Sequence, residues 1–223
     1  MIYFTEADID RLIEDDLPAG DMTTFLLDLA GKKGSIALIA RNEMIACCTE
    51  EAVRLYKKAG LEVGDFVASG TRLQPGDRLI EAKGEASAIH IIWRTGSAMI
   101  EFASGIAGRT NQLVMAAKKE NPSISVAGTR KHPPFVKKMA LKALMAGGGV
   151  PHRTGLSDTI LIFREHLLFT GGYERLPEVI RSVKEKMKER KIVIEAHSLK
   201  EALIAAKSGA DAVQMDKSTQ EIF

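Results

Sequence analysis

Along the first hundred residues the apolar positions change period several times. Thr5, followed by Glu6 and Asp8, reads as a helix start, after which Ile9, Leu12 and Ile13 fall on one face. The cluster Pro18-Ala19-Gly20-Asp21 ends that helix. Residues 34–40 (GSIALIA) predict a strand. Thr49 begins a second helix with Ala52, Val53, Tyr56 and Ala59 as its apolar stripe and Gly60 as its C-terminal cap. Two short strand candidates, 61–67 and 78–83, flank a turn at Pro75-Gly76-Asp77.

The rhythm changes in the second half. A β-rich run at 123–127 precedes a helix over about 136–146 with Met139, Ala140, Ala143 and Leu144 inward. Residues 158–163 (DTILIF) predict a buried strand, and Pro177 opens a helix carrying Val179, Ile180, Val183 and Met187. KIVIE at 191–195 is a strand, Ser198-Leu199-Lys200-Glu201 a capping box, Gly209 a helix stop, and DAVQM at 211–215 a further strand. Strands alternating with helices imply parallel βαβ units. The pattern predicts an α+β N-terminal part joined to a parallel α/β part. A closed α/β barrel needs more strands than are visible before Phe223.

Composition adds limits. A chain of 223 residues with 45% hydrophobic residues can bury a sizeable core, and a net charge of +2 supplies no global field for nucleic acid or a membrane surface. Cys47 and Cys48 are adjacent and read as two half-buried thiols in a reducing compartment. The N-terminus lacks a basic, then apolar, leader, and no run approaches the roughly 18–20 apolar residues of a membrane span. The expectation is a soluble, cytoplasmic protein without nucleic-acid or membrane partners.

The chemistry is expected at the C-terminal ends of the parallel strands, where such architectures bind ligands. Thr129-Arg130-Lys131-His132 follows the first strand of the second half, and Arg164-Glu165-His166 follows the second. Glu195 ends the third, Asp216-Lys217 follows the fourth, and Gly147-Gly148-Gly149-Val150-Pro151-His152-Arg153 lies between the first two. Arg130, Lys131, His152 and Arg153 are donors suited to phosphates and carboxylates. Glu195 and Asp216, on consecutive parallel strands, can hold a Mg²⁺ that bridges phosphate oxygens. Singly, each has a plainer reading: a solvated loop, a flexible glycine turn, a capping carboxylate. His90 and His197 read as ordinary surface or packing histidines.

At Thr129-Arg130-Lys131 and at 147–158 (GGGVPHRTGLSD) the chain resembles the quinolinate phosphoribosyltransferases. Supporting matches are Glu14-Asp15, Gly20-Asp21-Met22-Thr23-Thr24, Ser104-Gly105-Ile106-Ala107, Glu195, and Gly209-Ala210-Asp211 through Asp216. The likeness runs along essentially the whole chain. It implies an N-terminal α/β sandwich over 1–105 and a C-terminal, partly open α/β TIM-like barrel over 106–223, here lacking its last strands. It also implies transfer of phosphoribose from phosphoribosyl pyrophosphate (PRPP) with Mg²⁺ and release of pyrophosphate, in a homodimer or hexamer with sites shared between subunits. By resemblance Arg130, His152 and Arg153 hold acceptor carboxylates, Arg94 reaches in from a neighbouring subunit and Lys131 contacts phosphate. Glu195 and Asp216 serve the ribose, metal and pyrophosphate side.

The departures narrow the resemblance. Phe163 stands where the quinolinate enzymes carry a lysine, His197 where they carry a second acid, Pro133-Pro134-Phe135 where they have Thr-Pro-Gly, and Met215-Asp216-Lys217 where they have Leu-Asp-Asn. The Asp-Lys ending, the Pro-His-Arg triplet and the lost lysine resemble the ModD branch, relatives associated with molybdate transport genes. The expected acceptor is a small anionic, pyridine-carboxylate-like ring. The alternatives are a genuine quinolinate enzyme of NAD synthesis and a non-catalytic molybdate-binding protein. Phe163 argues against the first and the carboxylate pair against the second.

Overall fold

The computed structural model describes residues 2–217. The chain divides into two compact units, with the division between His152 and Arg153.

In the first unit, helix α1 (Glu6–Asp16) starts at Thr5, whose hydroxyl accepts from the Asp8 amide while the Asp8 carboxylate accepts from the Thr5 amide, the expected capping box. Helix α2 (Met22–Leu26) begins at Asp21, whose carboxylate accepts from the Thr23 and Thr24 amides. Then come β1 (Lys33–Ile39), β2 (Met44–Ile45), α3 (Thr49–Lys58), β3 (Glu62–Phe66), β4 (Arg72–Leu73) and β5 (Arg78–Glu85). Strand β5 lies between β1 and β3, antiparallel to both, and β2 pairs antiparallel with β4.

Helix α4 (Ala86–Glu120) follows directly, and the division expected after residue 105 falls inside it. Its buried residues Ile92, Gly96, Met99, Ile100, Ala103, Ala107, Thr110 and Val114 recur at helical spacing. Ile92, Met99, Ile100, Ala103 and Ala107 share a core with Ile9, Ile45, Leu55, Tyr56, Leu79 and Ile80. Gly96 makes room for Tyr56, because a Cβ there would lie 2.6 Å from the ring. Two-residue strand β6 (Ala127–Gly128), helix α5 (Lys137–Ala146) and two-residue strand β7 (Val150–Pro151) complete the unit. Strands β6 and β7 pair in parallel. Of the expected strand at 123–127, only its end becomes β6. Gly147 is a close-approach position, since a Cβ would meet the Ala107 carbonyl oxygen at 2.4 Å, so α5 can end against α4 only without a side chain there.

The second unit is a run of βα units: β8 (Ile160–Ile162), α6 (Arg164–Leu168), α7 (Leu176–Lys186), β9 (Ile192–Ala196), α8 (Leu199–Lys207) and β10 (Ala212–Met215). The sheet order is β10-β9-β8, all parallel. Ile162, Leu167, Leu176, Ile180, Ile192, Ile194 and Ala205 form its core. Pro177 stands in the first turn of α7, where its missing N–H leaves no helical bond unmade. Ser198 caps α8 by accepting from the Glu201 amide, and the Glu201 carboxylate turns back to accept from the His197 amide. The chain is therefore mixed α/β, with an N-terminal antiparallel sheet and C-terminal parallel strands alternating with helices. Among the described residues no helix is long and apolar enough to cross a membrane.

Candidate active site

The residues singled out from the sequence fall into two local clusters and one isolated position. In the first unit, the pairing Gly128↔Pro151 brings two chain segments out side by side. Thr129-Arg130-Lys131 leaves one strand and His152 leaves the other, with the His152 amide donating to the Gly128 carbonyl at 3.3 Å, and Arg153 is the first residue of the second unit. The Thr129 hydroxyl accepts from the Lys131 amide at 3.1 Å and so shapes the loop. Arg130, Lys131 and His152 are exposed, whereas Arg153 is buried. Among the described residues no carboxylate pairs with any of these cations, although Arg54, Lys58, Arg72, Lys138 and Lys142 all have one. Unpaired cations on a parallel strand edge can receive an anionic ligand without first breaking an internal ion pair. Phe135, in the same loop region, is 95% exposed and holds φ +69°, a left-handed conformation that favours the glycine of the Thr-Pro-Gly pattern.

In the second unit the C-terminal ends of the three parallel strands carry Phe163, Glu195 and Asp216. The register Gln214↔Glu195 and Met215↔Ala196 sets Asp216 beside the residues that leave β9, and the Asp216 amide donates to the Ala196 carbonyl at 2.9 Å. His197 joins the pair. Its Nε2 lies 3.7 Å from Glu195 Oε1 and its Nδ1 lies 3.5 Å from Asp216 Oδ2. One donor atom from each of Glu195, His197 and Asp216 falls within 4.8 Å of the others. Two ligands bound to one ion at about 2.1 Å each lie roughly 3–4 Å apart, so small side-chain rotations would close this set on a cation. The group fits a divalent ion in charge as well, because two carboxylates held this close repel unless a cation lies between them.

The cluster is braced. Gln214 Nε2 donates to Glu195 Oε2 at 3.2 Å, which leaves Oε1 toward His197. Tyr173 donates its hydroxyl to the Glu195 carbonyl at 2.8 Å, and burial pushes that phenol up to about 12, so it remains a donor through the physiological range. Phe163 follows β8 with its ring edge-on to His166, the centroids 4.0 Å apart, so an aromatic pair stands where the resemblance expected a cation.

Other residues of the matching motifs are structural. Asp158 accepts from both the amide and the hydroxyl of Thr154, and the hydroxyl bond above all holds its carboxyl below the usual range. Asp211 accepts from the Ile192 amide at 2.7 Å and fastens the entry to β9. Buried Ser104 accepts from the Cys47 amide at 3.0 Å. Arg94 stands on α4, away from both clusters in sequence, at the rim of a cleft of about 880 Å³ in the first unit that Ile39, Trp93, Ser97 and Arg109 also line.

These arrangements can be set beside known proteins. The model of the quinolinate phosphoribosyl transferase C-terminal domain matches residues 106–223, and that of the N-terminal domain matches 21–104. A protein of Rhodobacter capsulatus named as a ModD pyrophosphorylase is 39% identical over 221 residues, 99% of this chain and 85% of that protein. The chain belongs to the quinolinate phosphoribosyl transferase family. It is thereby a phosphoribosyltransferase-type enzyme, a pentosyltransferase. A Methanocaldococcus jannaschii protein named as a nicotinate-nucleotide pyrophosphorylase (carboxylating) is 30% identical, covering 96% of this chain and 74% of that one. The solved nicotinate-nucleotide pyrophosphorylase of Francisella tularensis superposes with a TM-score of 0.86 at 25% identity, over 99% of this chain and 78% of that one. His197, expected as an ordinary surface or packing histidine at the position of the family's second acid, instead lies beside both Glu195 and Asp216. It stands two residues beyond Glu195, on the same side of an extended segment, and that period was the available signal.

Proposed function

We propose that the chain transfers phosphoribose from PRPP to a small anionic, pyridine-carboxylate-like ring and releases pyrophosphate, with a divalent cation, Mg²⁺ in the family resemblance, at Glu195 and Asp216. The observation that carries this reading is the carboxylate pair on adjacent parallel strand ends in a chain of this family. Bound by Glu195 and Asp216, a cation would supply positive charge to offset the charge building on the leaving pyrophosphate. Lys131 and Arg130 supply fixed positive charge for phosphate and carboxylate oxygens, and His152 and Arg153 orient the acceptor. The C1–O bond to pyrophosphate breaks as the bond from C1 to a ring nitrogen forms, and the protein provides no nucleophile.

Phe163 supports an acceptor other than a dicarboxylate. A charge-assisted hydrogen bond is worth roughly 1.5–3 kcal/mol, about 10- to 150-fold in affinity, and an aromatic side chain cannot supply it. Exposed Ile39 and Trp93 beside Arg94 support a homodimer or larger assembly in which that face is covered and Arg94 serves a neighbouring subunit. Calorimetric titration of the intact chain with PRPP tests the reading. Binding that Glu195→Gln and Asp216→Asn each weaken at least about tenfold is expected. Molybdate binding without any PRPP binding would instead favour an oxyanion receptor.

A further inference from the structure

The three-residue cluster carries a consequence for the metal itself, one that rests on Glu195 and Asp216 being its ligands. We infer that His197 is the third protein ligand and that the site prefers a transition-metal dication of the Mn²⁺–Zn²⁺ series to Mg²⁺. Imidazole nitrogen is a borderline donor that binds Fe²⁺, Co²⁺, Ni²⁺ and Zn²⁺ well. Mg²⁺ prefers oxygen ligands and keeps several of its waters. A donor set of two carboxylates and one imidazole therefore selects by chemistry as well as by charge.

The geometry supports a ligand role for the imidazole over a bystander role. The ring lies between the two carboxylates, with one nitrogen toward each, at 3.7 and 3.5 Å. The His197 backbone is itself held, its amide donating to Glu201 at 2.8 Å in the turn that starts α8. Glu195 is oriented by Gln214 and anchored at its carbonyl by Tyr173. Three protein donors on braced strand ends make a site that exists before substrate arrives, with coordination positions left for oxygens of the phosphorylated substrate.

The test is metal binding by the untagged intact chain without PRPP. Co²⁺ is followed by its visible d–d absorption and Mn²⁺ by loss of its free-ion electron paramagnetic resonance signal, each in competition with Mg²⁺. We expect one Co²⁺ or Mn²⁺ per chain, with Mg²⁺ competing at least roughly tenfold more weakly. His197→Ala should weaken Co²⁺ by about tenfold or more and change its spectrum. His197→Asp should restore binding while moving the preference toward Mg²⁺. Equal affinity for Mg²⁺ and Mn²⁺, a Co²⁺ spectrum untouched by His197→Ala, or no ion bound without PRPP would each overturn the inference. PRPP binding is measured on the same sample in Mg²⁺ and in Mn²⁺. Its persistence in either ion leaves the transferase reading standing, and its absence in both removes that reading separately.

Discussion

Lys142 on α5 reaches two carboxylates of α3, Glu50 at 2.8 Å and Glu51, with its side chain 17% exposed and that of Glu51 8% exposed. The perturbation of interest is Lys142→Met, which keeps the length and removes the charge. Burial pushes the Glu50 carboxyl up, but the Lys142 ammonium and the Ser69 hydroxyl and amide outweigh it and hold the group at about 2. Burial likewise pushes Lys142 down, while Glu50 and Glu51 raise it above its ordinary value. Removing one partner of a buried pair costs roughly 3–5 kcal/mol, and the residual exposure of Lys142 places this case at the low end, about 3 kcal/mol. At roughly 2–4 °C per kcal/mol for a chain of this size, the melting temperature should fall by about 6–12 °C. The pH dependence has a definite sign. A carboxyl whose folded pKa lies below its unfolded value stabilises fully above about 4.5, and that stability is lost as pH falls toward 2. Lys142→Met should therefore flatten the acid limb of the stability profile between those values. Urea unfolding of the intact chain from pH 7 to pH 3 measures both quantities. A loss under about 0.5 kcal/mol at pH 7, or an unchanged acid limb, would refute the argument. Glu51→Gln added to Lys142→Met should recover part of the loss, because the uncompensated charge goes with it.

Three further outcomes are expected. Gly147→Ala places a methyl 2.4 Å from the Ala107 carbonyl oxygen and should destabilise the first unit by about 2 kcal/mol in urea unfolding. Ser198→Ala removes the acceptor of the Glu201 amide and should cost about 1 kcal/mol, read in the same assay. Phe163→Lys should raise affinity for quinolinate by about 10- to 150-fold in equilibrium binding. An unchanged affinity would show that the position does not face the acceptor.

The strands of the second unit were legible in the sequence because each is a short apolar run bounded by turn or cap residues, whereas α6 (Arg164–Leu168) was not expected. Ile192–Ala196, the Ser198 cap and Ala212–Met215 lie within a residue or two of expectation. Helix α4 was not. Its buried stripe has the right period, but Ile89, Ile91, Trp93 and Phe102 surround it with further apolar residues, and Gly96, Gly105 and Gly108 are poor helix formers. Gly96 is a packing residue beneath Tyr56. The candidate site was legible as residue types at strand ends, and β9 and β10 do deliver Glu195 and Asp216 to adjacent ends of one sheet. Strand position separated Glu195 and Asp216, at strand ends, from Asp158 and Asp211, at strand starts. The string did not show that backbone amides occupy Asp158 and Asp211 or that the oxygens of Glu195 and Asp216 face His197.

Pyrophosphate release by the intact chain, supplied with PRPP, a divalent cation and a panel of small anionic heteroaromatic acceptors including quinolinate, tests the central claim most directly. The account predicts release that requires both PRPP and an acceptor, with quinolinate a poor acceptor. Rapid release that requires quinolinate and no other ring would contradict the reading of Phe163, and no release with any acceptor together with no PRPP binding would contradict the transferase reading itself.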